Sequence, residues 1–296
     1  KKNSREIWFK TPLHKLNFLE RKFYHNTFKN AIGHVAGVWV YPFLEKYTKN
    51  GIKMDMYAMD DELFKNTTHE LDIQKTKFTF FSPQRMGNGK GTDLLWKALK
   101  ICKTDFDILQ VNWFDEATDE ELKIREQLLN ELPSQIKLIP MIKRKKMPEY
   151  YSFADAVIGN MIVGTWELVD LEGVMCGKPV LSYSDPNHKL LVKGNYIQSS
   201  FLPDSNKPED IAKIIDKVVS SKEFRDELFE NERKFVSNST DKEWVSNWWD
   251  ELFETFSQKY GKIHKNSSSI SIKIRMGLFL IGNRLYWKKI KKLIKI

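Results

Sequence analysis

The stretch FADAVIGNMIVGTWELVDLEGVMCGKPVLSY, residues 153–183, carries the most informative pattern in the chain. A short apolar run ends at Gly159, and apolar residues then recur at intervals of three and four before Gly177, as in a half-buried helix. Thr165 is placed to cap the start of that helix, and a second apolar run follows Pro179. These segments predict a strand, a helix and a second strand that runs parallel to the first.

The predicted start of this helix has the features of an anion site. The first backbone N–H groups of a helix lack partners within it and favour a negative charge. Those of Gly164, Thr165 and Trp166 would therefore face a phosphate group. Glu172 lies two turns further along, within reach of a sugar hydroxyl.

The same alternation extends over the preceding sequence. Strands are predicted near 77–82, 106–111, 136–139, 155–159 and 179–183, and helices near 91–103, 118–132, 147–153 and 165–176. This order is typical of an α/β fold with one parallel sheet and right-handed crossovers. Ligands of such folds bind outside the carboxyl ends of the strands.

Three segments together resemble the retaining GT-B glycosyltransferases (glycosyltransferase family 4, group 1 type). LEGVMCGKPVL (171–181) resembles the family's LEAMACGKPVI signature, and FSPQRMGNGKGTDLLWKAL (81–99) resembles its R-x4-KG-x-D-x-L motif. IKLIPMIKRKKMPEYYSFADAVIGN (136–160) resembles its strand, base-binding turn and helix. The resemblance covers about residues 33–256, mainly the C-terminal, donor-binding half of the family.

The resemblance implies roles for the motif residues. Arg85 and Lys90 would be the catalytic pair that stabilises the departing diphosphate, with Gly91 beside them, and no metal or other cofactor is then required. The alternative is that Arg85 and Lys90 are two solvated cations on a surface turn without a binding role. The further donor-binding residues implied are Met141 and Ile142 at the base, Gly164, Thr165 and Trp166 at the phosphates, and Glu172 at the ribose.

One position departs from the family pattern. The family carries two glutamates separated by seven residues, and Gly164 stands where the first is expected. In the family that first carboxylate lies against the donor sugar, so recognition of the sugar does not carry over. Glu167 is a possible substitute, although it occupies a different part of the helix surface.

The predicted domains reproduce only part of a GT-B chain. The fold class is α/β and GT-B-like, with a Rossmann-type donor domain and a truncated or reduced N-terminal Rossmann-like part. A complete N-terminal half needs on the order of 150 residues, which suggests either a fragment or a reduced domain. The expected divisions are 1–60 (acceptor side), 61–240 (nucleotide-sugar binding), 241–260 (crossover helix) and 261–296 (basic tail).

The charge distribution predicts a membrane partner. The formal net charge is +9, but residues 262–296 hold ten Lys or Arg and no Asp or Glu. The rest of the chain is nearly neutral, which disfavours a nucleic-acid partner. Apolar and basic residues interleave over 270–296, so this segment is expected to bind an anionic membrane surface, and the alternative is a helix packed on its own domain. The prediction is a cytoplasmic protein, peripheral on the inner face of the cell membrane.

These observations lead to two functional hypotheses. The first is a retaining glycosyltransferase that moves a sugar from a nucleotide diphosphate to a glycan or lipid-linked acceptor. The second is a non-catalytic nucleotide-sugar-binding or membrane-associated scaffold protein. A paired-carboxylate hydrolase is disfavoured, because no suitable acidic pair stands out.

Overall fold

The computed structural model of the chain describes residues 33–37, 51–67, 71–114 and 118–260. The chain divides into two compact units, residues 1–55 with 246–296 and residues 56–245. The second contains the motifs quoted above.

A five-stranded parallel sheet forms the centre of the larger unit. Its strands are β3 (Phe78–Ser82), β4 (Phe106–Val111), β5 (Ile136–Ile139), β6 (Ala156–Ile158) and β7 (Val180–Leu181), and their order across the sheet is β5-β4-β3-β6-β7. Phe80 on the central strand pairs with Ile108 on one side and Ala156 on the other. Every residue of β4, β6 and β7 is buried, as expected for a parallel sheet whose two faces are covered by helices. The predicted α/β class with a parallel sheet is confirmed.

Helices connect the strands and close the unit. They are α1 (Thr92–Leu99), α2 (Asp119–Asn130), α3 (Met147–Phe153), α4 (Leu168–Met175), α5 (Pro208–Ser220) and α6 (Lys222–Ser239). α1 packs against α5, and α4 packs against α6. A hairpin of β8 (Lys189–Val192) and β9 (Asn195–Gln198) precedes the last two helices.

The smaller unit is described only in part. β1 (His34–Ala36) pairs in parallel with β2 (Gly51–Lys53), and the helix α7 (Lys242–Tyr260) belongs to this unit from Ser246 onwards. Within the described ranges, none of the helices combines the length and apolar character that crossing a bilayer requires. The membrane-binding segment predicted over 270–296 lies outside the described residues.

The predicted helix start at Thr165 is wrong. α4 begins three residues later, at Leu168, and Glu167 is its N-cap. The carboxylate of Asp170 accepts a hydrogen bond of 2.7 Å from the backbone N–H of Glu167, which stabilises this later start. The backbone N–H groups of Gly164, Thr165 and Trp166 therefore precede the helix instead of opening it.

Candidate functional site

The loops that follow β3 and β6 meet at the carboxyl edge of the sheet. The backbone N–H of Met161 donates to the carbonyl of Lys90 at 3.0 Å. Gly91 has a left-handed backbone, with φ +70, and a Cβ there would lie 2.9 Å from the carbonyl carbon of Met161. Only glycine fits this approach, which explains why a glycine follows the lysine in this motif.

Lys90 forms an ion pair with Glu167 at this edge. The two side chains are 23% and 25% exposed, so the pair is partly shielded from solvent. The sequence predicted Lys90 as a phosphate ligand and gave Glu167 little weight. The fold brings them together across 77 positions of sequence.

The buried carboxyl group of Asp170 holds the backbone of Glu167 in place beside Lys90. Asp170 is fully buried, and its Oδ2 accepts hydrogen bonds from the backbone N–H of Glu167 and, at 3.0 Å, from the hydroxyl of Ser182. The pKa of Asp170 is raised to about 8, first by burial and then by the negative charge of Glu167, while both hydrogen bonds and Lys90 act in the opposite direction. The N-terminus of α4 thus already holds two acidic side chains, those of Glu167 and Asp170.

The turn between β6 and α4 is shaped by a buried amide. The side chain of Asn160 accepts a hydrogen bond of 2.7 Å from the backbone N–H of Val163 and donates one of 3.3 Å to the carbonyl of Thr165. Gly164 has φ +76 and forms an isolated parallel bridge with Ser184. A left-handed backbone disfavours any residue with a Cβ, so the fold itself disfavours a glutamate at position 164.

Glu172 lies inside a network of hydrogen bonds and aromatic contacts. Its side chain is 2% exposed, and its two oxygens accept from Arg144 at 2.8 Å and from the hydroxyl of Tyr151 at 3.0 Å. Burial raises the pKa of Glu172, and Arg144 and Tyr151 act in the opposite direction. The Arg144 guanidinium also lies over the ring of Phe64, 4.7 Å from its centroid. A ribose at Glu172 must therefore share this carboxylate with Arg144 or displace it.

Arg85 lies at the end of the central strand and contacts the loop after β4. Its guanidinium is 5.7 Å from the centroid of the Trp113 ring. Met141 is 59% exposed and Ile142 is half-buried, and both belong to the loop after β5. The predicted site residues thus occupy the three loops after β3, β5 and β6, and Glu172 lies within α4.

Sequence reasoning missed several residues that shape this edge. They are Trp113, Asn160 and Asp170. The sequence position of Asp170 could have indicated its role, because a carboxylate three residues after an N-cap is typical of a helix start. Within the described parts of the chain, no group of three or more His, Cys, Asp or Glu is placed to hold a metal ion.

The fold and the arrangement of these loops define a class of protein, the GT-B glycosyltransferases. Residues 64–235 match the family described as "Glycosyl transferases group 1". This match covers more than half of the chain, which therefore belongs to the group 1 glycosyl transferases. No curated protein sequence is significantly similar to it.

Solved structures with the same fold are distant in sequence. HepE of Anabaena, crystallised with UDP and glucose, is 17% identical, with a TM-score of 0.61 over 79% of this chain and 66% of HepE. Sucrose-phosphate synthase of Thermosynechococcus elongatus is 15% identical, with a TM-score of 0.63 over 88% of this chain and 67% of that one. A glycosyltransferase of Rickettsia africae is 17% identical, with a TM-score of 0.54 over 82% and 67%. The chain thus spans about two thirds of the length of these proteins.

Proposed function

We propose that this chain carries the donor-binding part of a retaining glycosyltransferase, which moves a sugar from a nucleotide diphosphate to a glycan or lipid-linked acceptor. Family membership supports the reaction class. The observation that carries the proposal is the placement of Arg85 and Lys90 on the loop after β3, and of Glu172 in the helix after β6, at the carboxyl edge of one parallel sheet, where ligands of such folds bind. HepE, which shares the fold, was crystallised with UDP-glucose.

The residues have separate proposed roles in the reaction. The bond between the anomeric carbon and the diphosphate oxygen breaks, and the acceptor oxygen bonds to the same face of that carbon. The acceptor proton passes to the departing phosphate, so no side-chain nucleophile is needed. Arg85 and Lys90 stabilise the negative charge that develops on the diphosphate, and Glu172 binds the ribose. We expect turnover without an added divalent metal, which a reaction in a chelator tests.

Nucleotide binding is the first test. Calorimetry with UDP, GDP and ADP measures the affinity, and Arg85→Ala and Lys90→Ala are each expected to cost about 1.5 to 3 kcal/mol, as for hydrogen bonds to charged groups. Lys97→Ala is the matched control, because Lys97 is an exposed cation of α1 that pairs with Asp93. Affinity like that of the wild type in both site variants would refute the assignment.

The basic segment 270–296 is proposed to hold the protein at an anionic membrane, where it would meet a lipid-linked or membrane-proximal acceptor. Attraction of about 1 kcal/mol for each basic residue near an anionic leaflet, added to burial of apolar side chains, is sufficient for reversible binding. Flotation with anionic liposomes compares the whole chain with a chain that ends at Lys262. Equal partitioning of the two, or binding that ignores salt, would contradict this proposal.

A non-catalytic role is the second candidate, and one observation favours it. Lys90 is already paired with Glu167, so one of the two proposed phosphate cations is neutralised in this structure. Because the negative charge on the diphosphate increases during transfer, a neutralised cation impairs transfer more than it impairs binding. Release of nucleoside diphosphate from UDP-glucose and related donors, followed with and without acceptor extracts, separates the two candidates.

A further inference from the structure

We propose that Trp113 is a positioning residue for Arg85, and that its indole face fixes the guanidinium where the diphosphate of the donor binds. The inference deepens the proposed function and rests on it. It assigns a role to an aromatic side chain on the loop after β4 that none of the sequence motifs includes.

The backbone holds these two side chains in a fixed register. The N–H of Met86, next to Arg85, donates to the carbonyl of Trp113 at 2.7 Å. Met86 also forms an isolated parallel bridge with Phe114. The segments that carry Arg85 and Trp113 therefore continue the pairing of β3 with β4 beyond the ends of both strands.

The side chains use this register to make a cation–π contact. The guanidinium carbon of Arg85 lies 5.7 Å from the centroid of the Trp113 ring, within the range of about 6 Å in which such contacts stabilise. Arginine suits the contact because its planar guanidinium stacks on aromatic faces and keeps its N–H donors for a second partner. A phosphate is such a partner, since arginine binds it through two parallel hydrogen bonds.

Trp113 is far more exposed than the aromatic residue that follows it. Its side chain is 44% exposed, whereas Phe114, the next residue, is 8% exposed and packs in the core. The core therefore does not explain why a large aromatic residue occupies position 113. The contact with Arg85 does, because a flexible arginine loses less conformational freedom on binding when it is already held in place.

Affinities for three ligands test the role. Trp113→Leu is expected to weaken the binding of inorganic pyrophosphate and of UDP by the same factor, about 3- to 10-fold. The reason is the loss of a partly exposed cation–π contact and of some pre-organisation of the Arg85 side chain. Binding of the nucleoside uridine is expected to stay unchanged, and Trp113→Phe is expected to recover most of the loss. In a background of Arg85→Ala, Trp113→Leu is expected to have no further effect. Tyr196→Leu is the control, since Tyr196 is an exposed aromatic residue on β9.

Other results overturn the proposal. If Trp113→Leu weakens UDP and uridine but leaves pyrophosphate unchanged, the indole contacts the nucleoside and not Arg85. Additive effects of the Trp113 and Arg85 variants, or no effect of Trp113→Leu, exclude a positioning role as well.

If the wild type binds none of these ligands, the proposed function itself is refuted. The contact between Arg85 and Trp113 can then still be tested by a structural measurement. The guanidinium carbon of Arg85 lies 5.7 Å from the centroid of the Trp113 ring, so the NMR resonance of the Arg85 Nε proton is expected to move when Trp113 is replaced by leucine. An unchanged resonance would show that the contact does not exist in solution.

Discussion

Replacing Glu167 with glutamine is expected to tighten the binding of a nucleoside diphosphate. In the structure the carboxylate of Glu167 pairs with Lys90, the cation proposed to bind the diphosphate. A diphosphate that binds Lys90 must compete with this carboxylate and is also repelled by it. Glutamine has nearly the same shape and still accepts a hydrogen bond from the lysine, but it carries no charge.

The size of the effect follows from the exposure of the pair. Two unit charges 4 Å apart interact by about 4 kcal/mol at an effective dielectric constant of about 20, and solvent-exposed pairs contribute only about 0 to 1 kcal/mol. Lys90 and Glu167 are each about a quarter exposed, which places them between these limits but nearer the second. A gain of about 1 kcal/mol in binding free energy is expected, or about fivefold in the dissociation constant.

Calorimetry with UDP at low and high salt measures this gain, which is expected to shrink as salt screens the charges. Glu131→Gln is the control, because Glu131 pairs with Lys100 at 3.6 Å and both side chains are more than half exposed. If Glu167→Gln weakens UDP tenfold or more, Glu167 is a ligand of the donor and not a competitor, and the reasoning fails.

Three further changes test other parts of the structure. Gly164→Ala is expected to lower the free energy of unfolding by about 1 to 2 kcal/mol, because φ is +76 there, and an unchanged urea midpoint would show that the backbone relaxes. Glu172→Gln is expected to weaken UDP binding in calorimetry, whereas Glu167→Gln is expected to strengthen it. Tighter UDP binding by Glu172→Gln than by Glu167→Gln would disprove the ribose role. Burial raises the pKa of Glu232 well above its ordinary value, so the folded state keeps a proton that the unfolded state loses near pH 4.3. Stability should fall as pH rises above that value, by at most about 1.4 kcal/mol per pH unit, and Glu232→Gln should reduce this slope in urea unfolding between pH 5 and 8. Equal slopes would show that Glu232 is ionised in the folded protein.

The five strands of the parallel sheet and the loop after β3 could be predicted from local sequence, whereas no pattern predicted the hairpin strands β8 and β9. Most residues of the five strands are apolar, and the glycine after the motif lysine stands where the backbone requires one. Lys90 and Gly91 therefore lie close to the loop after β6, as expected for neighbouring parallel strands.

The start of α4 could not be predicted, because tertiary contacts override the local preference. Thr165 is a good capping residue by propensity. Its carbonyl accepts from the buried Asn160 amide instead, and Gly164 pairs with Ser184. Both partners lie outside the helix pattern, so the chain from 160 to 166 forms an irregular turn and the cap moves to Glu167.

The acidic character of this edge depends on contacts that no local pattern carries. Asp170 fits against the sheet only because Gly159 lacks a Cβ, which would lie 2.0 Å from its Oδ1. With that space available, Asp170 binds the backbone of Glu167 and fixes the residue whose carboxylate pairs with Lys90. The glycine at 164 removes one carboxylate from the family pattern, while Gly159, Asp170 and Glu167 together place another beside the proposed phosphate cation. The charge beside the proposed phosphate cation is therefore set by this linked group of residues and not by the motif alone.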